Sequence, residues 1–231
     1  MNTQMKYLLS ALFLTTVGLM HASPVLTVQI VQTDEPDAYV AALAKINARI
    51  KALTDIETLN RTWTGDFAGG ESHAIAFVSQ FESAAAVSTI GDKLRADPEF
   101  MRLVGGLNGM RKLGPAWLYK AARYEGNYPG GAAFNSAVAV KDEAAYLKLL
   151  DELKALFDAN GFKDAKLNLW RIVSGRNGQA THLVEVAFPS QVRVGEMLDA
   201  IWDKDLMKDW NVAAANVRTP LTSGSYHEIT K

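Results

Sequence analysis

The chain has 231 residues, with 24 Lys and Arg against 25 Asp and Glu, a net charge of −1, and no cysteine. That balance, with no basic stripe, argues against a nucleic-acid surface. The missing thiols exclude disulfide staples, thiolate metal sites and a lipidated cysteine.

The first residues read as an address. Lys6 precedes an apolar run from Tyr7 to Met20, followed by Ala22, Ser23 and Pro24. A short basic start, an apolar stretch and small residues predict a secretory signal peptide over residues 1–22, cleaved after Ala22. The run is shorter than the ~20 residues that a membrane span needs. The sequence therefore predicts a periplasmic or secreted protein with no membrane association after cleavage.

The elements follow in order. Val25 to Val31 alternates and is rich in β-branched residues, which predicts a strand. Asp34-Glu35-Pro36-Asp37 suits a helix start, and Tyr39, Leu43, Ile46 and Ile50 make one apolar stripe ending near Thr54. Strands are predicted over 58–64 and 73–78, separated by a Gly-rich turn at 65–70. A helix from Ser83 to Leu94 is broken at Asp97-Pro98, and a further helical piece carries Phe100, Leu103 and Val104. Gly114-Pro115 precedes the strand predicted at 116–123.

The order then returns. A strand at 134–140 leads into an amphipathic helix with Tyr146, Leu149, Leu150, Leu153, Leu156 and Phe157. Asn160-Gly161 stops it. Strands at 166–173 and 182–188, a helix at 192–202, a break at 203–205 and a strand at 223–229 complete the list. Identities recur at a nearly constant displacement: Tyr39 and Tyr146, Asn60 and Asn168, Trp63 and Trp170, His73 and His182. A spacing of this kind marks an internal repeat. It predicts a first unit at 24–125, a linker at 126–131 and a second unit at 132–231. The fold class is α+β: two tandem ferredoxin-like βαββαβ units, each an antiparallel sheet with its helices on one face. The bare faces need cover, and two units in one chain supply it, with self-association through the sheet faces as a further route.

Arg61-Thr62-Trp63, Phe67-Ala68-Gly69-Gly70, the strand opening at His73 and Asp97-Pro98-Glu99 together resemble the dimeric α+β barrel superfamily, and more narrowly its exported bacterial members. The second unit departs from the pattern, with Trp170-Arg171 in inverted order and Asp205-Leu206 at the break. The resemblance implies an intramolecular version of the barrel. It spans monooxygenases, haem-degrading enzymes, polyketide cyclases, chlorite dismutases and noncatalytic stress proteins, so the fold does not fix the activity. The haem-histidine signature of the chlorite dismutase branch is not legible around His73 or His182, and no cofactor is expected.

The candidate residues come from matched positions. His73 and His182, each opening a strand after a turn, suit a general base or a strand-end histidine bonded to its neighbours. Arg61, beside Trp63, and Arg171, beside Trp170, are candidates for gripping a ligand, or for cross-strand ion pairs. Tyr39 and Tyr146 suit carbonyl orientation or core packing. Asn60 and Asn168 are notable because asparagine is disfavoured in strands. The four histidines are scattered with no metal-ligand spacing. The expected function is an exported protein holding a small apolar molecule in a cleft between sheet and helices. The alternative is a cofactor-independent monooxygenase or cyclase with a strand histidine as base.

Overall fold

A computed structural model describes residues 23–56, 60–65, 74–175, 178–203 and 205–229. The expected signal peptide, the body of the Gly-rich turn and His73 lie outside them. The first unit comprises β1 (Val25–Gln32), α1 (Pro36–Thr54), β2 (Asn60–Gly65), β3 (Ala74–Phe81), α2 (Ala84–Arg95), α3 (Pro98–Gly105) and β4 (Lys112–Arg123). The second comprises β5 (Ala132–Val140), α4 (Glu143–Ala159), β6 (Lys166–Ser174), β7 (His182–Phe188), α5 (Gln191–Asp203), α6 (Lys208–Ala214) and β8 (Arg218–Glu228).

The helix starts form where the sequence supplies acceptors for otherwise orphaned N–H groups. Ser83 caps α2, accepting from Ala86 N at 3.1 Å. Asp97 caps α3, accepting from Phe100 N at 2.7 Å. Asp142 caps α4 through Ala145 N at 2.9 Å. The helix α6 stands where α3 stands in the first unit; the residue pattern predicts only a break there.

All strand pairs are antiparallel, and the eight strands close in the order β1-β3-β2-β8-β5-β7-β6-β4. Each unit contributes a four-stranded sheet in ferredoxin-like order, and the sheets join along two seams, β2 with β8 and β4 with β6. The fold is thus the dimeric α+β barrel built within one chain. Closure removes the exposed edges that an open sheet must protect.

Two strands are longer than the residue pattern suggests. Gly114-Pro115 lies inside β4, and Pro220 lies inside β8. Both fall beside register shifts, one between Gln29 and Val31 and the other between Ala137 and Val138. A bulge is where a strand tolerates a residue that cannot donate to the ladder.

Alternation sorts the side chains. Outward residues meet the helices in two cores. One holds Val31, Tyr39, Leu43, Ile46, Ile50 and Ile75, and the other holds Tyr146, Leu150, Phe157, Leu167, Leu169 and Trp210. Inward residues enclose a lumen. The segment between β4 and β5 crosses one end of it, because two strands, β7 and β6, separate β5 from β4 around the barrel. At one side of that end Arg61 donates to Tyr128 O at 2.7 Å, and Gly130 N donates to Glu228. At the other, Asn168 holds Glu125 N and Gly126 O, while Leu167 N donates to Glu125. The linker is a floor under the barrel.

Candidate functional site

The cavity best shaped to hold a ligand is the lumen, on the sheet face away from the helices. Its volume is about 470 Å³, within the range of ligand pockets. Leu26, Val28, Ile30, Ala76 and Val78 form an apolar wall from β1 and β3, with Trp63 and Trp117 beside them. Asn135, Glu185, Thr222, Ser223 and Tyr226 form a polar wall from β5, β7 and β8, and Asn127 reaches in from the floor. The expected cleft between sheet and helices is instead filled by the two outer cores.

Glu185 is the most unusual group. It sits at the centre of β7, 8% exposed, among Val184, Val186 and Ala187. Asn168 donates to its Oε1 at 2.7 Å, and the Asn127 amide, turned with its nitrogen toward the carboxyl, donates at 2.6 Å. Burial raises its pKa above the usual carboxylate range, and the Asn168 bond, Arg61 and the Trp170 indole offset this only in part. Charge on a carboxyl is costly without water, so the neutral acid is favoured. Tyr119 and Tyr226 also line the lumen, and burial raises both phenols.

The candidates separate by face. Trp63 and Arg61 line the lumen. Arg61 is committed: Nε donates to Glu228 at 2.8 Å, a second nitrogen pairs at 2.5 Å, and the guanidinium lies 5.0 Å from the Trp63 ring centre. Trp170, fully buried, packs with Tyr119, Leu26 and Leu183 inside the barrel. Asn168 is also inside, on Glu185.

Asn60 faces the helices instead. It donates to Asn47 at 2.9 Å and accepts from Ser79 at 2.5 Å. Tyr39 and Tyr146 belong to the outer cores, where Tyr39 accepts from Arg111 at 3.2 Å. The Tyr146 hydroxyl is buried without a partner, Arg218 lies 5.6 Å from its ring, and burial pushes its pKa up to about 12.

His182 also points outward. Its Nε2 bonds Glu143 at 2.8 Å and its Nδ1 bonds Thr181 at 2.8 Å, while Arg171 pairs with the same Glu143. Neither His182 nor His227 lines the lumen. The described residues therefore present no imidazole there to act as a base or to ligate an iron.

The displacement between units is uniform in the strand ladders: Val25 pairs with Phe81 as Ala132 pairs with Phe188. By that register Trp63 matches Trp170 and Tyr39 matches Tyr146. The other two identities do not correspond. Asn60 matches Leu167, Asn168 matches Arg61, and His182 matches Ile75. A one-residue slip exchanges the faces of a strand, which is why Asn60 and Asn168 look alike in sequence and lie on opposite sides of the sheet. Glu185, Asn135, Tyr119 and Tyr226 escape a search for repeated identities. The legible sign is a carboxylate in the middle of the apolar run His182-Leu183-Val184-Glu185-Val186-Ala187-Phe188.

No protein-family model matches the sequence, and comparison with curated proteins finds no match. Solved structures do match. A Fusobacterium nucleatum protein provisionally named a monooxygenase superposes with a TM-score of 0.60 at 11% identity, over 91% of this chain and 94% of its own. An anthrone oxidase-like protein gives 0.51 at 14% identity, over 90% and 92%. A chlorite dismutase variant from Candidatus Nitrospira defluvii gives 0.56 at 12%, over 92% and 93%. At these identities the likeness is one of fold, and the fold is the dimeric α+β barrel.

Proposed function

We propose that this chain is an exported protein that takes up a small, mainly apolar molecule in the barrel lumen, with a polar group of that molecule directed at the β5–β7 wall. The observation that carries the reading is the 470 Å³ lumen, apolar on one side and carrying on the other a buried carboxyl whose pKa burial raises. Such a mixture of apolar area and few convergent polar groups is what fixes a ligand's orientation. Export rests on the leader at residues 1–22. The test is titration of the mature protein with naphthalene, followed by the fluorescence of Trp63 and Trp117. Saturable binding is expected. It should fall at least tenfold in an Ala133→Leu/Ala137→Ile variant, which installs in the second unit the larger side chains found at Leu26 and Ile30 in the first. Naphthalene that fails to bind, or binds the filled variant equally, would refute the reading.

A second reading, a cofactor-independent oxygenase or cyclase, draws on Glu185 itself. A carboxyl with a raised pKa is suited to proton transfer near neutral pH, and structural neighbours include an anthrone oxidase-like protein. With no described histidine in the lumen, the base in this reading is Glu185. Oxygen uptake with anthrone, present in the wild type and lost in Glu185→Gln, is its expected signature.

A further inference from the structure

Two cross-strand rows of inward residues occupy corresponding levels of the barrel. In the first unit the row runs Trp117–Val28–Val78–Arg61. In the second it runs Gly224–Asn135–Glu185–Asn168, each member the equivalent of its counterpart under the register that relates the two units. The first row is bulky and its only charge is paired with Glu228. The second has a hydrogen where the first has an indole, so room opens beside Asn135, and Gly224, Asn135 and Glu185 all line the cavity.

This row is incompletely satisfied. The Asn135 Oδ1 atom is buried with no hydrogen-bond partner, a rare and costly state for an acceptor. Its cross-strand partner Glu185 uses Oε1 for Asn168 and fronts the cavity with the rest of its carboxyl. Asn135 asks for a donor. Burial pushes the acid beside it toward its protonated form, in which it has a proton to give. Directly opposed residues on one face place their Cβ atoms about 5 Å apart, which suits a ligand whose donor and acceptor sit on neighbouring atoms. A cis-amide has that pattern.

We propose that Asn135 and Glu185 form a recognition site for a lactam or cyclic imide carried on a flat apolar body: its N–H donates to Asn135 Oδ1, its carbonyl accepts from the Glu185 carboxyl, and its rings pack on Val28, Val78 and Trp117. The proposal rests on the lumen being a ligand site. Its test compares 2-quinolinone, N-methyl-2-quinolinone and naphthalene by calorimetry with the full mature chain. The lactam should bind at least tenfold more tightly than either of the others. Asn135→Val and Glu185→Val, which copy Val28 and Val78, should each abolish that preference, with the lactam binding no more tightly than naphthalene in the same variant. Should Glu185→Val fail to fold, Asn135→Val decides alone, since it leaves the Glu185–Asn168 bond in place. Equal binding of the lactam and its N-methyl form, with naphthalene still bound, would overturn the recognition site and spare the lumen reading. If none of the three binds, both fall.

Discussion

Two glutamates in this molecule are driven in opposite directions. Glu143, at the first turn of α4, is held down at a pKa of about 2 chiefly by its Arg171 ion pair, with His182 adding a second bond against the opposing cost of partial burial. A depressed carboxyl stabilises the fold above its unfolded pKa, and that stability is lost as pH falls from about 4.5 towards 2. Glu185 is raised by burial, so its sign reverses: the fold is favoured while the acid is protonated, and stability declines as pH rises above about 4.5. Urea midpoints across pH 2–8 should show both. Glu143→Gln should flatten the acid limb below about pH 4.5. Glu185→Gln should gain on the wild type progressively above that pH, because its amide has no ionisation to lose. A difference from the wild type that stays constant with pH would contradict either assignment.

The elements themselves were largely written in periodicity. The stripe Tyr39, Leu43, Ile46, Ile50 placed α1, and β7 runs from His182 to Phe188, the bounds expected for it. The departures have physical causes. Pro115 read as a strand boundary and the last strand was expected only from residue 223, yet at bulges β4 and β8 pass through Pro115 and Pro220. The site was less legible than the fold because the lumen is made by long-range closure. No local pattern says that Arg61 on β2 will meet Glu228 on β8. That seam pair is nearly buried, with side chains 17% and 10% exposed, and it carries its own prediction. Arg61→Met leaves Glu228 buried with no cation, so urea unfolding should report a loss of about 3 kcal/mol. Arg61→Met/Glu228→Gln, which removes the uncompensated charge, should recover more than half of it.

At the scale of the molecule the two seams differ. Trp63 lies opposite Glu228 at one and Trp170 opposite Ala121 at the other. Two copies of the first unit, closed in the same way, would bury two Arg61 groups against Ala121 and no acid at all. Residues 24–125 and 126–231 produced as separate chains should therefore pair with each other in preference to themselves, and native mass spectrometry of the mixture would read this directly. A mixed pair no more abundant than the statistical 1:2:1 distribution of the three pairings would refute it. The inequality of the rows, with Gly224 leaving open the space that Trp117 fills at the equivalent place in the first unit, has a consequence for any guest. A barrel made of two identical chains has a twofold axis through its lumen, so a lopsided guest can lie there in two equivalent ways, and neither is preferred. Here the axis is broken by the side chains. One unit offers a greasy bed and the other a polar headboard, so a guest taken up as proposed would lie one way round only, and a single chemical edge of it would be addressed every time.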